Sequence, residues 1–224
     1  MLGTLVNAVA VVCGSIVGLV FRKRLPEKRG DVVFTVVGLF TAYLGLSMSL
    51  EARSPVSLIL GMLVGTLLGE LIDLEGALNR WAEGVKNKVG GGSGFVEGMI
   101  TAFLTYCVGP MTVVGSIRDG MGDPSILLAK SVMDGFVSVA YAAAMGVGVL
   151  FSVLPLLVFQ GSLAVLGALT GVLLPERVVS DMTAAGGLIL LGLSINLLKL
   201  RKVRVANMLP ALAIVPSISW ILNV

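Results

Sequence analysis

Ile126-Leu127-Leu128-Ala129-Lys130-Ser131-Val132-Met133-Asp134-Gly135-Phe136-Val137-Ser138-Val139-Ala140-Tyr141 opens a run, 126–154, that would cross a bilayer without comment but for one lysine and one aspartate. A charge near mid-membrane costs a few kcal/mol even on lenient insertion scales, so such residues face a partner, a cavity or a pathway. Lys130 and Asp134 stand at i, i+4, on one helix face and within reach of each other. Ser138 and Tyr141 continue that face, and Ser131 adjoins it. Asp134 falls ten residues after Pro124, roughly 15 Å into the helix, too deep for a short side chain to reach the surface. Lys130 is shallower and long enough to snorkel outward.

Composition agrees with a membrane solvent. Hydrophobic residues make up 56% of the 224 positions and charged residues 13%, where a soluble domain carries roughly a quarter charged. Eight apolar runs separate the charge clusters: 2–21, 32–50, 56–71, 95–117, 126–154, 156–174, 182–198 and 205–222. Most match the ~20 residues that span a hydrocarbon core. The expected fold is therefore an all-α, polytopic bundle of eight transmembrane helices forming one integral membrane domain, 1–224. The first run is not a cleavable leader, because it lacks a basic start and Arg22-Lys23-Arg24 follow it.

With the N-terminus outside, the inner loops hold twelve basic residues: Arg22, Lys23, Arg24, Lys28, Arg29, Arg80, Lys86, Lys88, Lys199, Arg201, Lys202 and Arg204. The outer loops hold Arg53, Arg118 and Arg177. This positive-inside bias places both termini outside. It also accounts for the net charge of +3 without a nucleic-acid partner. Cys13 and Cys107 lie in apolar runs without metal spacing and read as small core residues. The chain has no histidine, so no imidazole serves as ligand, base or pH sensor.

The two ends of the chain resemble each other. Asn7, Gly14 and Gly18 match Gln160, Gly167 and Gly171 at one constant offset, and Gly45-Leu46-Ser47-Met48-Ser49-Leu50 matches Gly192-Leu193-Ser194-Ile195-Asn196-Leu197. The basic loops swap sides between the copies. Repeat A (1–73) and repeat B (155–224) are thus expected to cross in opposite directions, an arrangement of many secondary transporters. Between them lie a segment at 74–94 and a central helix pair at 95–154. Leu74, Leu78, Trp81 and Val85 recur at helical spacing, predicting an amphipathic surface helix, followed by a Gly90–Gly94 linker.

In the fourth run, Gly109-Pro110 breaks the helix, since proline lacks an amide proton and clashes with the preceding turn. Such a break is tolerated in a membrane only where protein or a wet cavity surrounds it. It offers either a helix start near Met111 to an anion or free carbonyls around Tyr106–Val108 to a cation; Thr105 and Thr112 flank it. Asn7, Gln160, Asn196 and Asn207 are the remaining intramembrane amides, serving as interhelical glue or as cavity lining. Pro210 and Pro216 predict an irregular last span. The glycine rows and Gly186-Gly187 read as packing seams, and no nucleotide or hydrolase motif occurs.

Cys107-Val108-Gly109-Pro110-Met111-Thr112, Gly115-Ser116-Ile117, Lys130-Ser131, Asp134-Gly135, Gln160-Gly161 and Asn207-Met208-Leu209-Pro210-Ala211 together resemble the prokaryotic multi-pass membrane proteins called YqgA-like or YdfK-like, domain-of-unknown-function family 554. The resemblance covers the whole chain. It implies a bacterial or archaeal cytoplasmic (inner) membrane protein and no particular activity.

These readings lead to an expected small permease for a small solute such as an organic anion, coupled to a cation or proton at Asp134. Lys130 would be its counter-charge or hold a substrate carboxylate. A homodimer is expected, with no cofactor, metal or enzymatic role. The competing reading is a non-transporting scaffold or regulator in which Lys130 and Asp134 form a structural ion pair.

Overall fold

The computed structural model describes residues 1–22, 30–171 and 174–222. The basic residues Lys23, Arg24, Lys28 and Arg29 of the first inner loop lie outside the described residues. All regular structure described is helical: α1 Leu2–Arg22, α2 Gly30–Ser49, α3 Pro55–Leu71, α4 Leu74–Val89, α5 Phe95–Cys107, α6 Pro110–Gly120, α7 Ser125–Met145, α8 Gly148–Phe151, α9 Val153–Thr170, α10 Glu176–Leu197, a 3-10 turn Val205–Met208 and α11 Ala211–Leu222.

Local chemistry sets the boundaries. Ser54 caps α3, accepting from the Ser57 amide, with Pro55 as the first helical residue. Gly146, at φ 86°, stops α7, because only glycine takes that backbone without strain. The run expected to be continuous over 126–154 is therefore divided into α7 and α8. The irregular last span takes the form of a 3-10 turn followed by α11, with Pro216 inside it.

Among the described residues, five helices are long and apolar enough to cross a membrane: Leu2–Arg22, Ser125–Met145, Gly148–Thr170, Glu176–Leu197 and Val205–Leu222. Up to seven result if each of two bent pairs is one span. These pairs are α3 with α4, bent 53°, and α5 with α6, bent 69°. Large apolar side chains face outward, including Phe136, Val158 and Leu169. Such a surface is a liability in water and the ordinary one in lipid. Cys13, expected in the core, is exposed, whereas Cys107 is buried.

The chain forms two compact units. Unit 1 comprises Met1–Val37, Trp81–Cys107 and Met111–Leu173; unit 2 comprises Gly38–Arg80, Val108–Pro110 and Leu174–Val224.

In unit 1, α1 and α7 lie side by side and parallel: a Cβ on Gly3 would meet Leu127, one on Gly14 would meet Ser138, and one on Gly18 would meet Ala142. The backbones touch, since a Cβ on Gly14 would lie 2.2 Å from the Gly135 carbonyl oxygen. α9 packs on α6 by the same device, a Cβ on Gly167 falling 2.2 Å from the Ile117 carbonyl oxygen. Phe103 of α5 meets Phe159 of α9 edge-on at 6.3 Å. The stretch carrying the Leu74/Trp81 stripe is helical, as α4, and Ala82 rather than Trp81 is its buried residue, clustering with Phe95 and Met99 of α5.

In unit 2, α3 runs antiparallel to the 3-10 turn and α11, with Gly61 against Val215, Gly65 against Ala211 and Gly69 against Asn207. α2 crosses α10 where Gly45 and Gly187 each abut the other's carbonyl, and Gly186 abuts the carbonyl of Val108. The glycine rows are packing seams, as their spacing suggested.

Candidate functional site

The polar stripe of α7 is buried inside unit 1. Lys130 and Asp134 are each 6% exposed, and Ser131, Ser138 and Tyr141 are 3% or less. Lys130 does not snorkel. Its ammonium donates to Asp134 Oδ2 at 2.5 Å, because one helical turn brings the two side chains together more readily than the lysine reaches a surface. Asn7 of α1 donates to the same oxygen at 3.0 Å. The close approach allowed by Gly14 and Gly18 puts a short amide within reach of a carboxylate on the neighbouring helix. Ser131 turns back onto its own helix, donating to the Leu127 carbonyl at 2.7 Å.

The end of α5 joins this layer. Ser138 donates to the Asp134 carbonyl at 2.6 Å, so its hydroxyl accepts from Tyr106 at 2.7 Å. Thr105 donates to Thr101 O at 2.9 Å and accepts from Tyr141 at 3.1 Å. The end of α5 and the polar stripe of α7, separate features of the sequence, therefore meet through Tyr106 and Thr105.

The break itself is repaired rather than open at its first carbonyl. Pro110 cannot donate to Tyr106 O, and the Thr112 hydroxyl takes that place at 2.5 Å. Thr112 is thus a backbone cap here, and the Tyr106 carbonyl expected to be free is filled. Thr112→Val is expected to cost about 1–3 kcal/mol, the desolvation of an uncovered buried carbonyl. Unfolding in mixed micelles measures it; an unchanged midpoint would mean another donor covers Tyr106. Gly109 and Pro110 belong to unit 2.

Of the other amides, Gln160 of α9 is wholly buried in unit 1, and neither its Oε1 nor its Nε2 has a hydrogen-bond partner. Asn7 Oδ1 is likewise unpartnered, so no hydrogen bond joins these two repeat mates. Asn196 and Asn207 are occupied in unit 2. Asn196 donates to and accepts from the Val203 backbone at 2.8 and 2.7 Å, closing the turn after α10. Asn207 accepts from the Glu75 amide at 2.7 Å and donates to Glu70.

Three polar devices had no warning in the sequence reading. Asp119 at the end of α6 accepts from the amides of Gly3 and Thr4, both at 2.9 Å, anchoring the start of α1. Asp181 of α10 accepts from the amides of Arg53 and Ser54 and from the Ser219 hydroxyl, tying the starts of α10 and α3 to α11. Arg204 bridges Glu70 and Asp73 at the α3–α4 corner. There the guanidinium of Arg80, with Arg204, holds the Asp73 carboxyl below its ordinary range. Asp119 and Asp181 could be recognised as capping residue types. Their target helices are more than a hundred residues away, which no local pattern reveals. Arg22, read as a stop signal, also donates to the Ala144 carbonyl at 2.9 Å and closes the end of α7.

An all-helical chain with lipid-compatible outer faces and a buried ion pair is a helical membrane protein. The chain belongs to the family described as "Protein of unknown function (DUF554)", whose model matches residues 2–220. It is 28% identical over 228 residues to "Uncharacterized membrane protein YdfK" of Bacillus subtilis (strain 168), covering 100% of this chain and 97% of that one. It is 30% identical over 226 residues to "Uncharacterized protein YqgA" of Escherichia coli (strain K12), covering 98% and 96% respectively. No solved structure matches the chain.

Proposed function

We propose that this protein is a small secondary transporter of the bacterial or archaeal cytoplasmic membrane, carrying a small solute with a cation or proton coupled at Asp134. The observation that carries this reading is the buried Lys130–Asp134–Asn7 cluster on the α1–α7 pair. An apolar pair of similar volume would hold two helices at least as well as a buried ion pair. Retaining the charges therefore points to a task other than adhesion. The bend between α5 and α6, whose flanking residues Tyr106 and Thr112 both lie in unit 1, is proposed as the element that changes its angle.

The proposed architecture has eight crossings, with both termini outside, and two inverted repeats. α1–α3 form one repeat, and α9, α10 and the 3-10 turn with α11 form the other. Several features support it. α1 and α7 are parallel in unit 1, as segments separated by three crossings must be. Each unit draws helices from both repeats. The proposed mates Gly14 and Gly167 each abut a neighbouring helix backbone: a Cβ on either would fall 2.2 Å from a carbonyl oxygen. A homodimer is the proposed assembly for so thin a bundle.

Asp134→Asn, reconstituted in proteoliposomes under an imposed sodium or proton gradient, tests the coupling role. Because Lys130 then loses its counter-charge, a lower folding yield is expected whatever the function, so uptake is read per folded, inserted molecule: gradient-driven accumulation is expected to vanish, and undiminished accumulation would remove Asp134 from coupling. The non-enzymatic alternative, a scaffold, is favoured by one observation: the ion pair is internally satisfied, with Lys130 and Asn7 both on Asp134. In that case wild-type protein would itself give no gradient-driven uptake.

A further inference from the structure

Gln160 is the side chain of unit 1 that leaves most hydrogen-bonding capacity unused; the buried Ser15 and Ser116 hydroxyls and Asn7 Oδ1 are also unpartnered. Its side chain is 0% exposed, it carries both a donor and an acceptor, and neither is used. The other large buried polar side chains, Lys130, Asp134, Tyr106 and Tyr141, all have partners. Buried polar groups in native proteins are nearly always satisfied, so each exception calls for a specific explanation. In an apolar interior an unpaired amide is destabilising, and leucine or methionine would fill the same volume without that penalty.

The chain's own geometry locates Gln160. Met1 donates to the Asp119 carbonyl, and Gly120, next along, touches the Ala164 backbone. The start of α1 and residue 164 of α9 thus share one end of unit 1. Asn7 lies six residues beyond Met1, about 9 Å along α1, and Gln160 four residues back from Ala164, about 6 Å along α9. The two amides therefore occupy nearly the same depth. The layer contains one positive and one negative charge, and these are spent on each other. What it leaves unpaired is neutral: Gln160 Nε2 as donor, with Gln160 Oε1 and Asn7 Oδ1 as acceptors.

We infer that Gln160 is the binding subsite for a small neutral solute bearing adjacent hydrogen-bond donor and acceptor groups, such as a primary amide or a polyol, and not for an organic anion. It deepens the transport reading by naming the class of solute. An anion would have to draw Lys130 off Asp134 or remain uncompensated in low dielectric. A neutral donor–acceptor guest satisfies Gln160 and leaves the ion pair intact. The unpaired atoms are sealed from solvent, so the guest is admitted only when helices part. The 69° bend between α5 and α6 is one place where the helix is already interrupted, and Gly146 between α7 and α8 is another.

The test uses the full-length protein in detergent with radiolabelled acetamide and radiolabelled glycerol as probes, and acetate and methylammonium as charged competitors. Wild-type protein should bind at least one neutral probe saturably, with neither charged competitor displacing it. Gln160→Leu and Gln160→Met should weaken that binding at least about tenfold, while melting no lower than wild type in the absence of probe. Absence of saturable neutral binding, displacement by acetate, or unchanged binding in both variants would overturn the inference. So would failure of both variants to fold, since it would give the Gln160 side chain a structural rather than a binding role. Proteoliposome permeability is read separately: saturable binding without flux above protein-free vesicles leaves the subsite standing and removes the transport reading.

Discussion

Lys130→Met is expected to destabilise the folded protein by about 3–5 kcal/mol, the usual result of removing one partner from a buried ion pair. Asp134 is 6% exposed, and without Lys130 its carboxylate keeps only the Asn7 amide and no cation. The neighbouring hydroxyls offer no relief, because Ser138 already donates to the Asp134 carbonyl and Tyr106 to Ser138. Adding Asp134→Leu should recover most of the loss, leaving a deficit of about 1 kcal/mol from the abandoned Asn7 donor. The measurement is a double-mutant cycle from unfolding in mixed micelles, with a coupling energy of several kcal/mol expected. A coupling near zero would mean that lipid or water serves each charge independently, and the cluster would lose its claim to be one site. Stability of the double variant also bears on function. If Lys130→Met/Asp134→Leu folds well but carries no solute, the charges exist for transport; if wild-type behaviour survives in every assay, they do not.

How much of this was legible in the sequence depended on the range of the interaction. The stripe Lys130, Asp134, Ser138 and Tyr141 follows from helical spacing alone, and the structure buries all four. Pro110 likewise announces a break, and α5 and α6 meet at 69°. What the spacing could not supply was the partner across the interface. Asn7 reaches Asp134 from 127 residues away, and Thr112 fills the carbonyl that Pro110 leaves bare. Asn196 and Asn207 looked like the same kind of residue as Asn7, yet each serves nearby or corner backbone in unit 2. An amide's type indicates that it needs partners, and only tertiary packing decides which. The division of 126–154 at Gly146 was missed for a related reason. An apolar run reads as continuous when its interruption is a single glycine, and φ there is set by the packing of α7 and α8 rather than by hydropathy.

Gly14→Val and Gly167→Val should each destabilise the protein by about 3 kcal/mol or more, at the severe end of overpacking effects. Neither clash can be relieved by rotating a side chain. A Cβ at either site would fall 2.2 Å from a backbone carbonyl, that of Gly135 or of Ile117, so a whole helix must shift. Gly161→Ala is the control. Nothing stands within 4 Å of a Cβ there, so it should stabilise α9 by roughly 0.5–1 kcal/mol. The pair also weighs the proposed inverted repeat, under which these glycines are mates performing one job in two copies. Parting α1 from α7 would carry Asn7 away from Asp134, so Gly14→Val should in addition abolish the coupling between Asn7 and Asp134 in a double-mutant cycle. Gly167→Val should leave that coupling in place, because α9 contributes nothing to the carboxylate. Comparable losses of stability with this split in coupling would support two copies of one packing device serving different partners. Tolerance of valine at either position would break the equivalence and, with it, the strongest packing argument for the repeat.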